Sequence, residues 1–188
     1  MNGREIELKL EIDLSDYSRI SELLKNKVKF VSEKHQVDVY YSPLGEHFYD
    51  SGDRCLRIRT EGNVSFLSFK RIHAVNTTQQ YIEEYESKID DVISIDKILL
   101  SLGFNKEIVV DKYRMEFLIV DEFLVSLDFV KNLGYFLEVE NINDSKSIEE
   151  RNKDLLDFVN KLEVSVSKRN TEGYSNMFYK KQKGRKDV

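Results

Sequence analysis

Near the N-terminus, Glu5, Glu7 and Lys9 alternate with Ile6, Leu8 and Leu10. Side chains on a β-strand point to opposite faces with a period of two, so this segment puts two carboxylates and an ammonium on one face and aliphatics on the other. The arrangement recurs along the chain with both signs of charge. Arg57 and Arg59 flank Ile58, Lys70 follows Phe69, and Glu84 and Glu86 flank Tyr85. Lys112, Arg114 and Glu116 alternate with Tyr113, Met115 and Phe117, and Glu138 and Glu140 alternate with Leu137 and Val139. Asp128 shares a face with Ser126, while Val125, Leu127 and Phe129 take the other. On one strand such a face is an ordinary solvent surface, its cross-strand ion pairs worth under about 1 kcal/mol each. Repeated along the whole chain, it is better explained by a sheet closed on itself around a charged interior. Acids there could hold a hard divalent cation, which prefers oxygen ligands and leaves positions for substrate phosphates. Bases there could hold a polyanion, arginine as a fork and lysine as a point charge.

The elements that must position these residues can be read in order. Residues 4–13 form a strand, and Leu14-Ser15-Asp16 offers a cap for a helix with Ile20, Leu23, Leu24 and Val28 at helical spacing. A strand from Phe30 to Tyr41 ends at a turn around Pro43 and Gly45, and a polar loop covers 45–53. Cys55–Thr60 and Val64–Arg71 make a hairpin over Glu61-Gly62-Asn63. His73–Gln80 lacks periodicity and reads as a loop, and Tyr81–Ile89 as a strand. Ser94 caps a second helix with Ile95, Ile98, Leu99 and Leu102 on one face, and Gly103 sits where a C-terminal glycine belongs. Strands Phe104–Leu118, Phe123–Val130 and Tyr135–Ile142 follow, the last turn being Asn132-Leu133-Gly134. Ser147 to Glu150 is a capping box before a third helix striped with Leu155, Leu156, Phe158, Val159 and Leu162. A short helix, Tyr174–Tyr179, closes a single domain over residues 1–179, and a basic, disordered tail occupies 180–188.

Composition narrows the classes. The 188 residues suffice for one domain with a sizeable core. A formal net charge of −5 argues against a nucleic-acid-coating protein, and 10 Tyr with 11 Phe argue against disorder. No apolar run is long enough to span a bilayer, and no signal peptide is visible. One cysteine, Cys55, excludes an intramolecular disulfide and fits a reducing cytoplasm. His35, His47 and His73 lack a second His or Cys at ligand spacing and read as solvated, although His35 lies near a strand mouth where a phosphate contact is conceivable. Tyr40 and Tyr41 read as packing rather than as a platform for a base.

Together these residues resemble the CYTH, or triphosphate tunnel metalloenzyme, superfamily. Glu5-Ile6-Glu7-Leu8-Lys9 matches its ExExK signature. Asp38-Val39-Tyr40, Leu56-Arg57-Ile58-Arg59, Phe69-Lys70, Glu83-Glu84-Tyr85-Glu86, Lys112-Tyr113-Arg114, Leu127-Asp128 and Gly134 to Glu140 follow in the family's order, and Gly173-Tyr174-Ser175 resembles its C-terminal segment. ExExK alone is weak; the ordered set is strong. Length and spacing are most similar to the class IV adenylate cyclase branch. The resemblance implies an α+β fold: a closed antiparallel eight-stranded β-barrel, or tunnel, with helices packed outside. It implies metal binding by Glu5, Glu7, Asp128, Glu138 and Glu140, with Mg²⁺ or Mn²⁺ as cofactor. It implies substrate binding by Lys9, Arg57, Arg59, Lys70, Lys112 and Arg114, and catalytic roles for Glu84, Glu86 and Lys9. Lys70-Arg71-Ile72-His73 departs from the family's turn after this lysine, which bears on nucleoside selectivity.

The leading expectation is a metal-dependent enzyme converting ATP to cyclic AMP and pyrophosphate. The alternatives are an inorganic tripolyphosphatase or a nucleoside or organic triphosphatase, a non-enzymatic polyphosphate or nucleotide binder, and a structural barrel without a ligand. The expected partner is a triphosphate-containing small molecule, ATP or tripolyphosphate. Neither nucleic acid nor membrane is expected, and a homodimer is left open.

Overall fold

The charged–apolar alternation folds into one antiparallel sheet, with polar positions on its concave face and apolar positions under helices. The structure is a computed structural model describing residues 4–48, 52–74, 80–164, 168–170 and 173–183, with backbone alone for 4, 5, 74, 80 and 168–170. Eight strands have six residues or more: β2 (Glu7–Ile12), β3 (Lys29–Pro43), β4 (Arg54–Glu61), β5 (Val64–Ala74), β6 (Gln80–Ile89), β7 (Phe104–Ile119), β8 (Phe123–Val130) and β9 (Gly134–Asn141). Two short pieces, β1 (Arg4–Glu5) and β10 (Lys168–Asn170), complete the order β1-β6-β5-β4-β3-β7-β8-β9-β2-β10.

The expected closed barrel is instead an open half-barrel. The N-terminal segment reaches both margins of the sheet: β2 pairs with β9 over six positions, but β1 pairs with β6 only through Arg4–Glu83 and Glu5–Ile82. The break at Ile6 between β1 and β2 lets one segment serve two neighbours, and Ile6 itself is fully buried.

Three helices cover the convex face, α1 (Leu14–Lys27), α2 (Val92–Ser101) and α3 (Ile148–Lys161), while α4 (Tyr174–Lys183) packs its Tyr174 on the concave side, beside Tyr40, Val110, Val130 and Phe136. Leu8, Leu127 and Val139 are buried with Ile20 and Leu24 of α1 and Leu155 and Val159 of α3, while Leu23 and Phe158 pack against the same cluster. Ile58 is buried with Leu99 of α2, and Ile95 packs alongside. The apolar partners of the charged residues therefore lie under the helices, as the alternation requires. Ile98 departs from the expected α2 stripe and is 51% exposed.

Local details also correct the sequence reading. The caps of α1 and α2 are Asp13 and Asp91, whose carboxylates accept from the backbone N–H of Asp16 and Ser94. Each therefore lies upstream of the expected cap residue, and aspartate satisfies an N–H left open by the first turn. The capping box of α3 forms as expected: Ser147 Oγ accepts from Glu150 N, and Glu150 accepts from Ser147 N. Gly62 and Gly103 have φ of +57° and +86°, the left-handed backbone their turns need. β5 extends through His73 and Ala74, which the sequence placed in a loop. α4 continues through Lys180, Lys181 and Lys183, so the start of the expected basic tail is helical; 184–188 lie outside the described residues.

Candidate functional site

Two buried aspartates organise the concave face from beneath. Asp38 on β3 stands opposite Arg59 on β4 and accepts from its Nε and Nη2 at 2.7 and 2.8 Å. Arg57 Nη1 lies 3.6 Å from the same carboxylate. Asp128 on β8 stands opposite Arg114 on β7 and accepts from its Nε and Nη2, both at 2.7 Å. Asp128 also accepts from the Tyr174 hydroxyl at 2.7 Å and lies 3.5 Å from Lys112 Nζ. Both aspartates are fully buried. Burial alone would raise their carboxyls, but Arg57 and Arg59 around Asp38, and Arg114 and Lys112 around Asp128, override it and hold both below the ordinary range. A forked carboxylate uses two of a guanidinium's five donors and fixes its plane, which leaves donors for a ligand.

The other expected bases lie on the same face. Lys9 on β2 stands opposite Glu138 on β9, its Nζ 3.2 Å from the carboxylate and 4.5 Å from the Tyr174 ring centroid. Arg114 reaches the same glutamate at 3.0 Å. Lys70 on β5 stands opposite Glu84 on β6 at 3.1 Å, and Arg57 Nη2 is 3.6 Å from Glu84. Lys112 is 2% exposed, and its ammonium is pushed down to about 7 by burial and the neighbouring Arg114, with Asp128 opposing. Glu86 is exposed and accepts from the Ser68 hydroxyl at 2.7 Å.

The expected metal carboxylates divide into two groups. Asp128 and Glu138 are committed to bases, and Glu138 is held well below the ordinary range because Arg114 and Lys9 outweigh its burial. Glu7 and Glu140 face each other across the β2–β9 ladder. Glu140 is pushed up to about 7 by burial and by Glu7, with Lys70 opposing. Glu5 lies in β1 beside them in sequence, and its side chain is outside the described ones. No group of three His, Cys, Asp or Glu side chains poised to hold a metal forms among the described residues. The like-charged Glu7–Glu140 pair nevertheless fits a hard cation: its donors are all oxygen, and what the pair lacks is positive charge.

A pH effect follows. Glu140 is raised above the unfolded carboxylate value of 4.5, so the fold binds a proton that the unfolded chain has lost. Stability therefore falls as pH rises from about 4.5 to about 7, and the whole penalty is present above that window. Glu140→Gln is expected to raise the Tm of metal-free protein at pH 8 and to change it little near pH 5. Equal melting of the two proteins at pH 8 would contradict the assignment.

Sequence reasoning gave no role to Asp38 or Tyr174, the two residues that lock the bases in place. The available signal was parity: Asp38 shares its strand face with Gln36 and Tyr40. The remaining candidates stay outside the site. His35, His47 and His73 bond Asp111, Glu107 and Glu83 at 2.7, 2.7 and 3.2 Å. Tyr41 donates to Asp96 at 2.8 Å and packs against the α2 cluster. The Cys55 thiol is pushed up by burial, which Arg57 and Lys70 do not overcome, so it is no ready nucleophile.

The whole arrangement has a counterpart among known proteins. The sequence profile of the CYTH domain matches residues 3–174. This chain belongs to the CYTH family. A Methanocaldococcus jannaschii protein named "Putative adenylate cyclase" is 32% identical over 163 residues, covering 83% of this CYTH chain and 89% of that protein. The Pyrococcus horikoshii protein PH1819 superposes with a TM-score of 0.78 at 26% identity, covering 94% of this chain and 99% of the other. A Hippeastrum adenylyl cyclase homologue described as having a dominant triphosphatase activity shares the fold, with a TM-score of 0.70 at 18% identity and coverage of 94% and 95%. Among the described residues no helix is long and apolar enough to cross a membrane.

Proposed function

We propose that this CYTH protein is a metal-dependent enzyme acting on a triphosphate, of the class IV adenylate cyclase kind: ATP is converted to cyclic AMP and pyrophosphate. The observation that carries the reading is the set of six bases, Lys9, Arg57, Arg59, Lys70, Lys112 and Arg114, on one concave face, four of them buried and two forked onto buried carboxylates. That is far more positive charge than a structural sheet needs, and it is fixed in place before any ligand arrives.

Glu7 and Glu140 would hold Mg²⁺ or Mn²⁺, with Glu5 as a further donor. The cation would supply charge neutralisation at the phosphate oxygens. The bases bind and align the triphosphate so that the ribose 3′-oxygen lies in line with the α-phosphorus. Attack forms the new P–O bond, the bond to the β-phosphate oxygen breaks, and pyrophosphate leaves with its charge held by the bases. Glu86 takes the 3′-hydroxyl proton. Glu84 is tied between Lys70 and Arg57 and so holds those bases in position.

Hydrolysis is the second reading, favoured by the triphosphatase activity of the Hippeastrum homologue. The same cradle would hold tripolyphosphate, and water would attack the terminal phosphorus. Incubation with ATP or tripolyphosphate and Mg²⁺ or Mn²⁺, with separation of products, decides between the two. Cyclic AMP and pyrophosphate in equal amounts are expected; orthophosphate without cyclic AMP would overturn the cyclase reading.

Single removals from the cradle have a defined size. Arg57→Ala, Arg59→Ala and Lys70→Ala should each weaken tripolyphosphate binding by roughly ten- to hundred-fold, because a charged hydrogen bond contributes about 1.5–3 kcal/mol. The loss should shrink for pyrophosphate and again for orthophosphate. Equal losses for all three anions would contradict a cradle that follows a phosphate chain.

A further inference from the structure

One polar cluster on the concave face has no use in holding phosphates. Beyond the Asp38–Arg59 and Asp128–Arg114 pairs, Gln36 and Lys34 follow on β3, Glu61 on β4 and Glu116 on β7. Lys34 Nζ lies 3.0 Å from Glu116 and 3.6 Å from Glu61. Ser32 Oγ donates to Glu116 at 2.6 Å, and Gln36 Nε2 donates to Glu61 Oε1 at 2.5 Å. Gln36 is 2% exposed, and its Oε1 has no hydrogen-bond partner among the described residues.

The cluster is rich in acceptors and short of donors. One ammonium stands between two carboxylates, so a negative charge is left over, and a buried carbonyl oxygen goes unmatched beneath them. Buried polar groups in folded proteins are almost always satisfied, so an exception calls for an explanation. The side chains of Glu61 and Glu116 keep 19% and 12% exposure, so a ligand can reach them. Two strand positions, about 7 Å, separate Glu61 from Arg59 and Glu116 from Arg114, a span one small molecule can bridge.

We propose that this cluster takes the organic end of the substrate and selects a group presenting N–H donors, as an amino-substituted heteroaromatic base does. The proposal rests on the triphosphate reading of the neighbouring cradle and specifies which triphosphates it accepts. An amino group meets the surplus acceptors of Glu61, Glu116 and Gln36. A carbonyl at the same position sets oxygen against oxygen and leaves the protein's acceptors unpaired, the situation in which sites discriminate most strongly.

ATP and ITP differ at the base by an amino group against a carbonyl and so test this directly. Calorimetric Kd values are measured in Mg²⁺ for both nucleotides, with tripolyphosphate alongside. Wild type should bind ATP at least about ten-fold more tightly than ITP. Glu61→Gln and Glu116→Gln, each checked by thermal melting, should bring that ratio toward one, chiefly by tightening ITP, because the new amide donates to its carbonyl. A purely structural ion-pair network would not produce that gain, and either variant alone suffices if the other fails to fold. Equal ATP and ITP affinities in wild type that binds tripolyphosphate would overturn the selectivity and leave the cradle standing. A ratio unchanged in the folded variants would overturn it too. Wild type that fails to bind tripolyphosphate would strike the cradle itself, and this proposal with it.

Discussion

Asp128→Ala is expected to destabilise the fold by about 3–5 kcal/mol, the usual cost of removing one partner of a buried ion pair. The carboxylate is fully buried and receives the Arg114 fork, the Tyr174 hydroxyl and the nearby Lys112 ammonium. Without it, the Lys112 ammonium and the Tyr174 hydroxyl lose this acceptor, and Arg114 loses its fork and keeps, among the described residues, only Glu138. A chain of this size shifts by roughly 2–4 °C per kcal/mol, so Tm should fall by about 10 °C. Asp38→Ala should behave alike, since it removes the carboxylate that Arg59 forks onto and leaves Arg57, among the described residues, only Glu84. Urea unfolding of the two variants measures the effect, and a loss below about 1 kcal/mol in both would show that neither aspartate anchors the cradle. Tyr174→Phe removes a single hydrogen bond to Asp128 and should cost only about 0.5–1.5 kcal/mol.

Glu86→Gln is expected to lower kcat by about 10²–10⁴-fold, the range attributed to a positioned general base, while KM changes little. Glu86 lies on the same sheet face as Lys70 and Glu84 but is not engaged by two cations as Glu84 is, and among the described residues it accepts only a hydroxyl bond from Ser68. Glu84→Gln should behave differently, weakening substrate binding through disturbed Lys70 and Arg57. Steady-state kinetics on both variants separates the roles. If Glu84→Gln lost kcat alone and Glu86→Gln were unchanged, the proton acceptor would have to be reassigned.

Much of this site is visible in the sequence because period-two alternation fixes which side chains share a face. Register then follows from the hairpins: once Gly62 turns the chain, Lys70 lies on the face of Arg57 and Arg59, and once Asp121 turns it, Asp128 meets Arg114. The apolar stripes of α1 and α3 follow the same logic and cover Leu8, Leu127 and Val139. What alternation could not reveal is which opposite charges satisfy each other. Asp128 counted among metal carboxylates by its sign and position; its fork from Arg114 comes from the facing strand, but its bond from Tyr174 depends on a helix arriving from far along the chain. Asp38, quoted within the Asp38-Val39-Tyr40 motif, received no role for a similar reason, because its value lies in the Arg59 it faces. The seam of the barrel was equally hidden: nothing in Arg4-Glu5-Ile6-Glu7 shows that two residues pair with β6 before the strand turns to β9. Caps one or more residues upstream of the expected position, at Asp13 and Asp91, reflect the ordinary ambiguity among neighbouring Ser and Asp residues.

A concave face built to bind a metal-bound phosphate chain distinguishes a long polyanion from a single phosphate. Titration calorimetry with tripolyphosphate and with orthophosphate, each with and without Mg²⁺, tests it most directly. Tripolyphosphate is expected to bind at least about a hundred-fold tighter than orthophosphate, since several charged hydrogen bonds are gained, with Mg²⁺ strengthening the former. Comparable affinities for the two anions, unaffected by Mg²⁺, would contradict it.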